Sequence, residues 1–367
     1  MSSRKLATIR VVNAIAPIEG ADAIEVAKVD SWKVVVRKGE VSVGSLVVYF
    51  EIDSWIPTTL APFLSKGAPK KYNDIEGEKL RTIKLRGQIS QGLIMNISDI
   101  SKVIPDFESK VSDTNEGEGI KEGQDVSDIL GIVKWENPNF ATSVGSFRTK
   151  GDFPSFISKT DQERVQNLTK KFDDIKAVIW EVTEKYDGSS MTVYFSKHGD
   201  TVQEGVCSRN LDLKMEVDDS GTINSFWEIA IREQLLEKIR SCGMNVAIQG
   251  EMCGNKINNN IYNLTSRDFW LFDVYNIDEG RYFTPAERQA FAEKYNIKHV
   301  PVLFNDFKIP EDMTIDELLK FAEGKSVLNK KTEREGLVFK RMNVDEGACT
   351  VNSFKTISNN YLMKGGQ

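Results

Sequence analysis

The residues with the most capacity for chemistry lie in Glu184-Lys185-Tyr186-Asp187-Gly188-Ser189-Ser190. There a strand-like run ends in a lysine, turns at a glycine and enters a second strand-like run. A lysine amine is a nucleophile only when neutral. From an ordinary pKa of about 10.4, neutrality at pH 7 costs roughly 4–5 kcal/mol. Glu184 and Asp187 add to that cost, because nearby carboxylates favour the ammonium. A bound metal ion, or other lysines crowding the amine, acts in the opposite sense. Taken alone, Lys-x-Asp-Gly reads more simply as a hairpin carrying a solvated lysine.

Four further segments change that balance. Gln249-Gly250-Glu251-Met252-Cys253-Gly254 places Glu251 on a strand beside glycines, and Phe272-Asp273-Val274 offers an aromatic ring at a strand end. Glu335-Gly336-Leu337-Val338-Phe339-Lys340 sets a carboxylate and an amine at either end of one short strand, and Ser353-Phe354-Lys355 adds another lysine. Acids for a hydrated metal ion, lysines for a triphosphate and an apolar slot for a purine together describe a nucleotide-transfer site. Other chemistries find no support. The two histidines, His198 and His299, stand far apart, and Cys207, Cys242, Cys253 and Cys349 form no CxxC pair, so neither a His base, a zinc site nor a disulfide framework is expected. No GxxxxGK[ST] loop or GxGxxG turn occurs either.

The elements that must position these residues fall into two grammars. From Lys5 to about Ser98, short apolar runs at Ile9–Val12, Ile24–Val29, Trp32–Val36, Leu46–Phe50 and Gly92–Met95 are separated by turn residues, the pattern of a small antiparallel barrel. The stretch from Asp106 to Asp128 is acidic and glycine-containing and reads as a loop or linker. After Phe153, strands alternate with helices. Capping boxes begin at Thr160, Thr284 and Thr314, an amphipathic helix is predicted over Phe226–Arg240, and strands are predicted at 177–183, 191–195, 246–250, 269–275, 337–340 and 350–355. The expected class is α+β, with an OB-like domain over 1–105, a connecting segment over 106–152 and a second domain over 153–367.

A chain of 367 residues suits two domains, and 40% hydrophobic with 28% charged residues is ordinary for a folded protein. No apolar run is long enough to span a membrane and the polar start MSSRKLATIR lacks a signal-peptide core, so an intracellular, cytoplasmic protein is expected, with the nucleus left open. A net charge of −6 confines any nucleic-acid contact to a local basic surface.

In their order along the chain, these five segments resemble the collinear motifs of the covalent nucleotidyltransferases, the superfamily of polynucleotide ligases and capping enzymes. The resemblance spans about Phe153 to Lys364 and implies the ATP-grasp-like ligase fold, with antiparallel sheets and flanking helices. It implies that Lys185 carries AMP, that Glu184 and Arg209 contact the nucleotide, and that Phe272 and Val338 sandwich the adenine. It further implies that Asp187, Glu251 and Glu335 bind Mg²⁺ or Mn²⁺ through water and that Lys340 and Lys355 grip the α-phosphate. Arg164 is a candidate for the β- or γ-phosphate, with a solvated helix face as its alternative. Many ligases carry Lys-x-Lys in the last motif; here Ser353 replaces the first lysine and leaves Lys355 alone.

About a dozen residues follow Lys355, too few for the C-terminal OB domain of DNA ligases and capping enzymes, which points to the RNA ligases. Trp32–Val36, Val48–Ser54 and Phe153–Asp161 are similar to the fifth RNA ligase family, whose members seal nicks in duplexes with an RNA 3′-OH strand. The resemblance thus implies an ATP-dependent enzyme acting on nicked RNA or RNA/DNA duplexes, and a monomer is expected. Segments 18–24 and 86–95 also resemble an OB-type tRNA-binding module, with Trp32, Lys33, Arg37, Lys84 and Arg86 as candidate contacts. A GTP-using capping guanylyltransferase and an RNA-binding protein with an inert transferase domain are the alternatives.

Overall fold

A computed structural model describes residues 4–65, 67–136, 149–217, 223–343 and 349–364. The chain divides into two compact units. One comprises residues through Glu136 with Gln166–Lys170 and the residues from Leu362; the other comprises the remainder.

In the first unit the five predicted strands form one antiparallel sheet. Its order is Leu93–Asn96, Leu46–Phe50, Ala7–Pro17, Ile24–Val29, Trp32–Arg37. Alternation explains the pairing: along Trp32–Arg37, Trp32, Val34 and Val36 are buried while Lys33, Val35 and Arg37 are more exposed. Trp32 is fully buried and its indole N–H donates to Asn167 of the same unit at 2.6 Å, so it is a core residue and not a nucleic-acid contact.

The acidic segment is not a linker. Phe107–Asp113 is a helix, and Phe107, Val111, Val126, Leu130 and Ile132 bury themselves against Ala7, Ile9, Val48 and Phe50. The acids project outward and the apolar residues between them supply part of this unit's core. Residues 137–148 of the predicted connecting segment lie outside the described residues.

The second unit contains two large sheets. A five-stranded sheet runs Glu163–Arg164, Ser353–Ile357, Gly336–Arg341, Ile179–Lys185, Val302–Lys308. A seven-stranded antiparallel sheet has Thr201–Cys207, Ser189–His198, Val246–Gly254 and Arg267–Asn276 at its centre. Met191, Val193, Ile248, Phe269 and Leu271 of the second sheet pack on Phe226, Ile229, Leu235 and Ile239. Capping boxes at Thr284 and Thr314 open helices as predicted.

Two expectations fail here. The helix predicted over Phe226–Arg240 is two helices, Ser225–Arg232 and Leu235–Arg240, divided where Gln234 adopts φ 54°. Thr160 opens no helix. Its hydroxyl is drawn to Gln249, Asp273 (3.1 Å) and Tyr282 (3.1 Å), and the chain continues as the strand Glu163–Arg164, parallel to Ser353–Ile357. Tertiary partners outbid a local capping preference.

Candidate active site

Strand register assembles the site. Ile179–Lys185 pairs with Gly336–Arg341 so that Lys185 faces Gly336, Thr183 faces Val338 and Glu181 faces Lys340. The next strand places Lys355 opposite Val338. Because side chains alternate across a sheet, Thr183, Lys185, Val338, Lys340 and Lys355 all lie on one face. In the other sheet, Ser190 faces Glu251. Gly188 joins the two sheets, and an added Cβ there would lie 2.3 Å from the Met252 carbonyl oxygen and 3.0 Å from Glu251 Cγ, so only glycine admits this close approach.

These residues line an open cleft. Lys185, Glu251, Phe272, Val338, Lys340, Arg209 and Lys355 all reach it. Phe272 does so through a bulge: Gln249 pairs with Asp273 and Gly250 with Leu271, leaving Phe272 as the extra residue. Bulges re-aim side chains in this way.

The electrostatics are dominated by acids around one amine. Lys185 Nζ lies 2.8 Å from Glu335 Oε1. Burial draws the Lys185 pKa down, but Glu335, Glu251 and Asp187 outweigh it and hold the amine above the ordinary lysine value. Desolvation pushes the Glu251 carboxyl up to about 8 despite the nearby Lys185, and raises Glu335 as well. Among the described residues, Glu335 Oε2 is buried without a hydrogen-bond partner. Asp187 is fixed by Asn258, which donates to its Oδ1 at 2.9 Å, while the Asp187 backbone N–H donates to the Tyr262 hydroxyl at 2.6 Å.

Among the described residues, no group of three His, Cys, Asp or Glu side chains forms a cluster that could hold a metal ion. The orphaned Glu335 oxygen and the elevated carboxyl of Glu251 nevertheless fit a hydrated divalent cation. Mg²⁺ commonly keeps several waters and uses only one or two carboxylates together with substrate phosphates.

Lys340 is buried and donates to Asp273 Oδ1 and to the Phe272 carbonyl oxygen, each at 2.5 Å; burial pulls its pKa down to about 8. Asp161 bridges two cations at the cleft, with Arg209 Nη2 at 3.1 Å from Oδ2 and Lys355 Nζ at 3.3 Å from Oδ1. The first predicted strand of this domain thus leads to a constellation of three carboxylates and one lysine, flanked by an aromatic wall and a cationic rim.

A family model for RNA ligase matches residues 178–357, and a model for an OB-fold domain matches residues 6–97. Among solved structures, the chain is similar to Naegleria gruberi RNA ligase over nearly its whole length. A glutamate-to-alanine variant of that enzyme with ATP and Mn is 42% identical, with 98% of each chain covered and a TM-score of 0.82.

The chain belongs to the RNA ligase family.

Further RNA ligase structures agree. A lysine-to-methionine variant with AMP and Mn is 41% identical over 99% of this chain and 100% of that one, with a TM-score of 0.84. The Naegleria enzyme with PPi is 42% identical, with 98% of each chain covered and a TM-score of 0.82. No curated protein matches the chain at a comparable level.

Not every predicted site residue reaches the cleft as expected. Arg164 is 5% exposed on its short strand and is not among the cleft-lining residues, because pairing with Ser353–Ile357 in place of a helix turns it inward. Glu184 contributes to the wall, but its carboxylate accepts from the Val327 backbone N–H at 2.8 Å on the side of the strand away from Lys185. Asp161 went unremarked as a site residue in the sequence because it sits inside what reads as a capping box. Its place in the Phe153–Asp161 segment, which already resembles the fifth RNA ligase family, is the signal that identifies it. Thr183, Ser190 and Val300 also line the cleft and carry no sequence signature of their own.

Proposed function

We propose that this RNA ligase seals 3′-OH/5′-phosphate breaks, above all nicks in duplexes with an RNA 3′-OH strand, by carrying AMP on Lys185. The observation that carries this reading is a lysine on the wall of an open cleft, 2.8 Å from one carboxylate and within the electrostatic reach of two more.

ATP binds with its adenine between Phe272 and Val338 and its phosphates toward Lys340, Lys355 and Arg209. The Lys185 ammonium gives up a proton, for which Glu335 Oε1 is the nearest acceptor. The free amine attacks the α-phosphorus; the N–P bond forms as the bond to the β-phosphate oxygen breaks, and pyrophosphate leaves. A 5′-phosphate end then takes AMP from Lys185, releasing the amine and forming an adenylylated end. Last, the 3′-OH attacks that 5′-phosphorus, AMP departs and the phosphodiester is closed. Asp187, Glu251 and Glu335 would hold a hydrated Mg²⁺ or Mn²⁺, whose charge lowers the Lys185 pKa and offsets the negative charge of the phosphates. Orientation by the cleft and fixed charge supply the catalysis, since phosphoryl transfer needs little else from a protein.

Incubation with radiolabelled ATP and a divalent cation labels the wild-type chain and leaves Lys185→Ala unlabelled. Labelling by GTP in preference to ATP would favour the capping-enzyme reading, and absence of any label would favour an inert binding module.

A further inference from the structure

The strand that carries Lys185 also carries a buried charge that the proposed transfer does not touch. Side chains two and four residues before Lys185 share its face of the sheet, so Thr183 and Glu181 continue the row that ends at the proposed nucleophile. Thr183 lines the cleft, but Glu181 is wholly buried against the helix Pro285–Lys294. There it accepts from Arg288 Nη2 and, at 2.5 Å, from Gln289 Nε2. Arg288 is itself wholly buried, on the helix face it shares with Phe291 and Ala292, where packing alone would call for an apolar residue.

The bonds do not end at this pair. Arg288 Nε donates to His299 Nε2 at 2.8 Å, and His299 Nδ1 lies 2.5 Å from the Val300 carbonyl oxygen. Burial, with the guanidinium beside it, pushes the His299 pKa down to about 4, so the ring is neutral near pH 7. Accepting at Nε2 fixes the ring proton on Nδ1, which donates to Val300. Val300 lines the cleft. Its backbone N–H donates to the Leu271 carbonyl at 3.0 Å, and the Leu271 N–H donates to the Lys298 carbonyl at 2.7 Å, which ties this segment to the residue just before the bulge at Phe272. A chain of hydrogen bonds therefore runs from Glu181 through Arg288 and His299 to the cleft wall formed by Val300 and Phe272.

Stability gives no reason for the ion pair, because replacing a buried pair with apolar residues of similar volume is often neutral or stabilising. What an apolar pair lacks is direction: the planar guanidinium holds a carboxylate on one edge and an imidazole on another. We propose that Arg288 and His299 are positioning residues that hold the Val300–Phe272 wall at a fixed distance from the strand pair carrying Lys185 and Val338, and so set the fit of the ATP base. This rests on the reading of the cleft as the adenylylation site and adds to it the device that fixes its width. The base lies away from the α-phosphorus, so a loosened wall weakens ATP binding in the ground and transition states alike.

The test is the dependence of single-turnover adenylylation on ATP concentration, with thermal melting followed on the same preparations. Glu181→Met combined with Arg288→Met removes both charges and leaves neither ion unpaired, so the chain should melt near the wild-type temperature. The half-saturating ATP concentration should nevertheless rise about tenfold, the effect of loosening one apolar contact in a pocket, with little change in the maximal rate. His299→Leu keeps the ion pair but removes the acceptor for Arg288, and should shift half-saturation in the same direction. Wild-type half-saturation in His299→Leu and in the folded double variant would overturn the proposal, as would a fall in maximal rate with half-saturation unchanged. Calorimetric titration of ATP into these variants in the Lys185→Ala background reads the same affinity without transfer. Failure of the wild-type chain to take up AMP therefore counts against the ligase reading and is distinguished from failure of this one.

Discussion

Lys185 Nζ and Glu335 Oε1 lie 2.8 Å apart, and this pair holds the proposed nucleophile in its unreactive, protonated form. The same acids that raise the amine's pKa are the groups that would attract a divalent cation. The resting pair and the active state are therefore linked by one redistribution of charge.

Glu335→Gln tests that link. Removing the carboxylate withdraws the largest influence raising the Lys185 pKa, so the rising limb of the pH profile for adenylylation should move to lower pH. The maximal rate should nevertheless fall, by about 10²–10³, because a fixed charge on the reacting centre is lost. Measuring single-turnover adenylylation from pH 6 to 10 separates the two effects; an unchanged profile with a full rate contradicts the assignment.

Glu251 gives a stability signature. Its carboxyl is raised to about 8 by desolvation, so the folded state binds the proton more tightly than the unfolded chain. The stabilisation is fully present below the unfolded value of about 4.3 and is lost as pH rises through about 8. The metal-free protein should lose thermal stability between those limits, and Glu251→Gln should flatten that decline. Adding Mn²⁺ should raise the melting temperature more at pH 8 than at pH 6, since cation binding favours the ionised carboxylate.

Lys340 should prove structural as well as functional. With Asp273 buried against it, Lys340→Ala leaves an uncompensated internal carboxylate, a change that typically costs about 3–5 kcal/mol. Denaturant unfolding should show a loss of that order. A stability equal to wild type would mean that the Lys340–Asp273 pair contributes only to catalysis.

Asp161 bridges Arg209 and Lys355 where the nucleotide phosphates are proposed to bind. All three groups are partly solvated, so the ion pairs add little to stability. Asp161→Asn should free both cations and tighten ATP binding about threefold to tenfold, whereas Lys355→Ala should weaken it. Calorimetric titration of the Lys185→Ala background with ATP reads this without turnover, and weaker binding in Asp161→Asn would show that Asp161 positions the cations instead of competing for them.

Much of this was legible in the sequence. Alternating apolar residues located Trp32–Arg37, where burial has a period of two, whereas the strands expected at 177–183 and 337–340 prove to be buried on both faces. Lys185, Asp187, Glu251 and Glu335 were singled out in the sequence, and the fold brings the three carboxylates within electrostatic reach of the amine. Features set by packing were not legible. The bulge that turns Phe272 into the cleft depends on the partner strand, and the strand containing Arg164 forms only because Ser353–Ile357 lies beside it. The acidic run misled by its average: Phe107 and Val111, four apart, already mark the buried face of a helix.

The most direct measurement is intact-mass and peptide analysis of the chain after incubation with ATP and Mn²⁺. A single added AMP mapped to Lys185, removed by pyrophosphate or by a nicked RNA duplex, is the predicted result. AMP on another residue, or none on wild-type protein that binds ATP, would contradict the account.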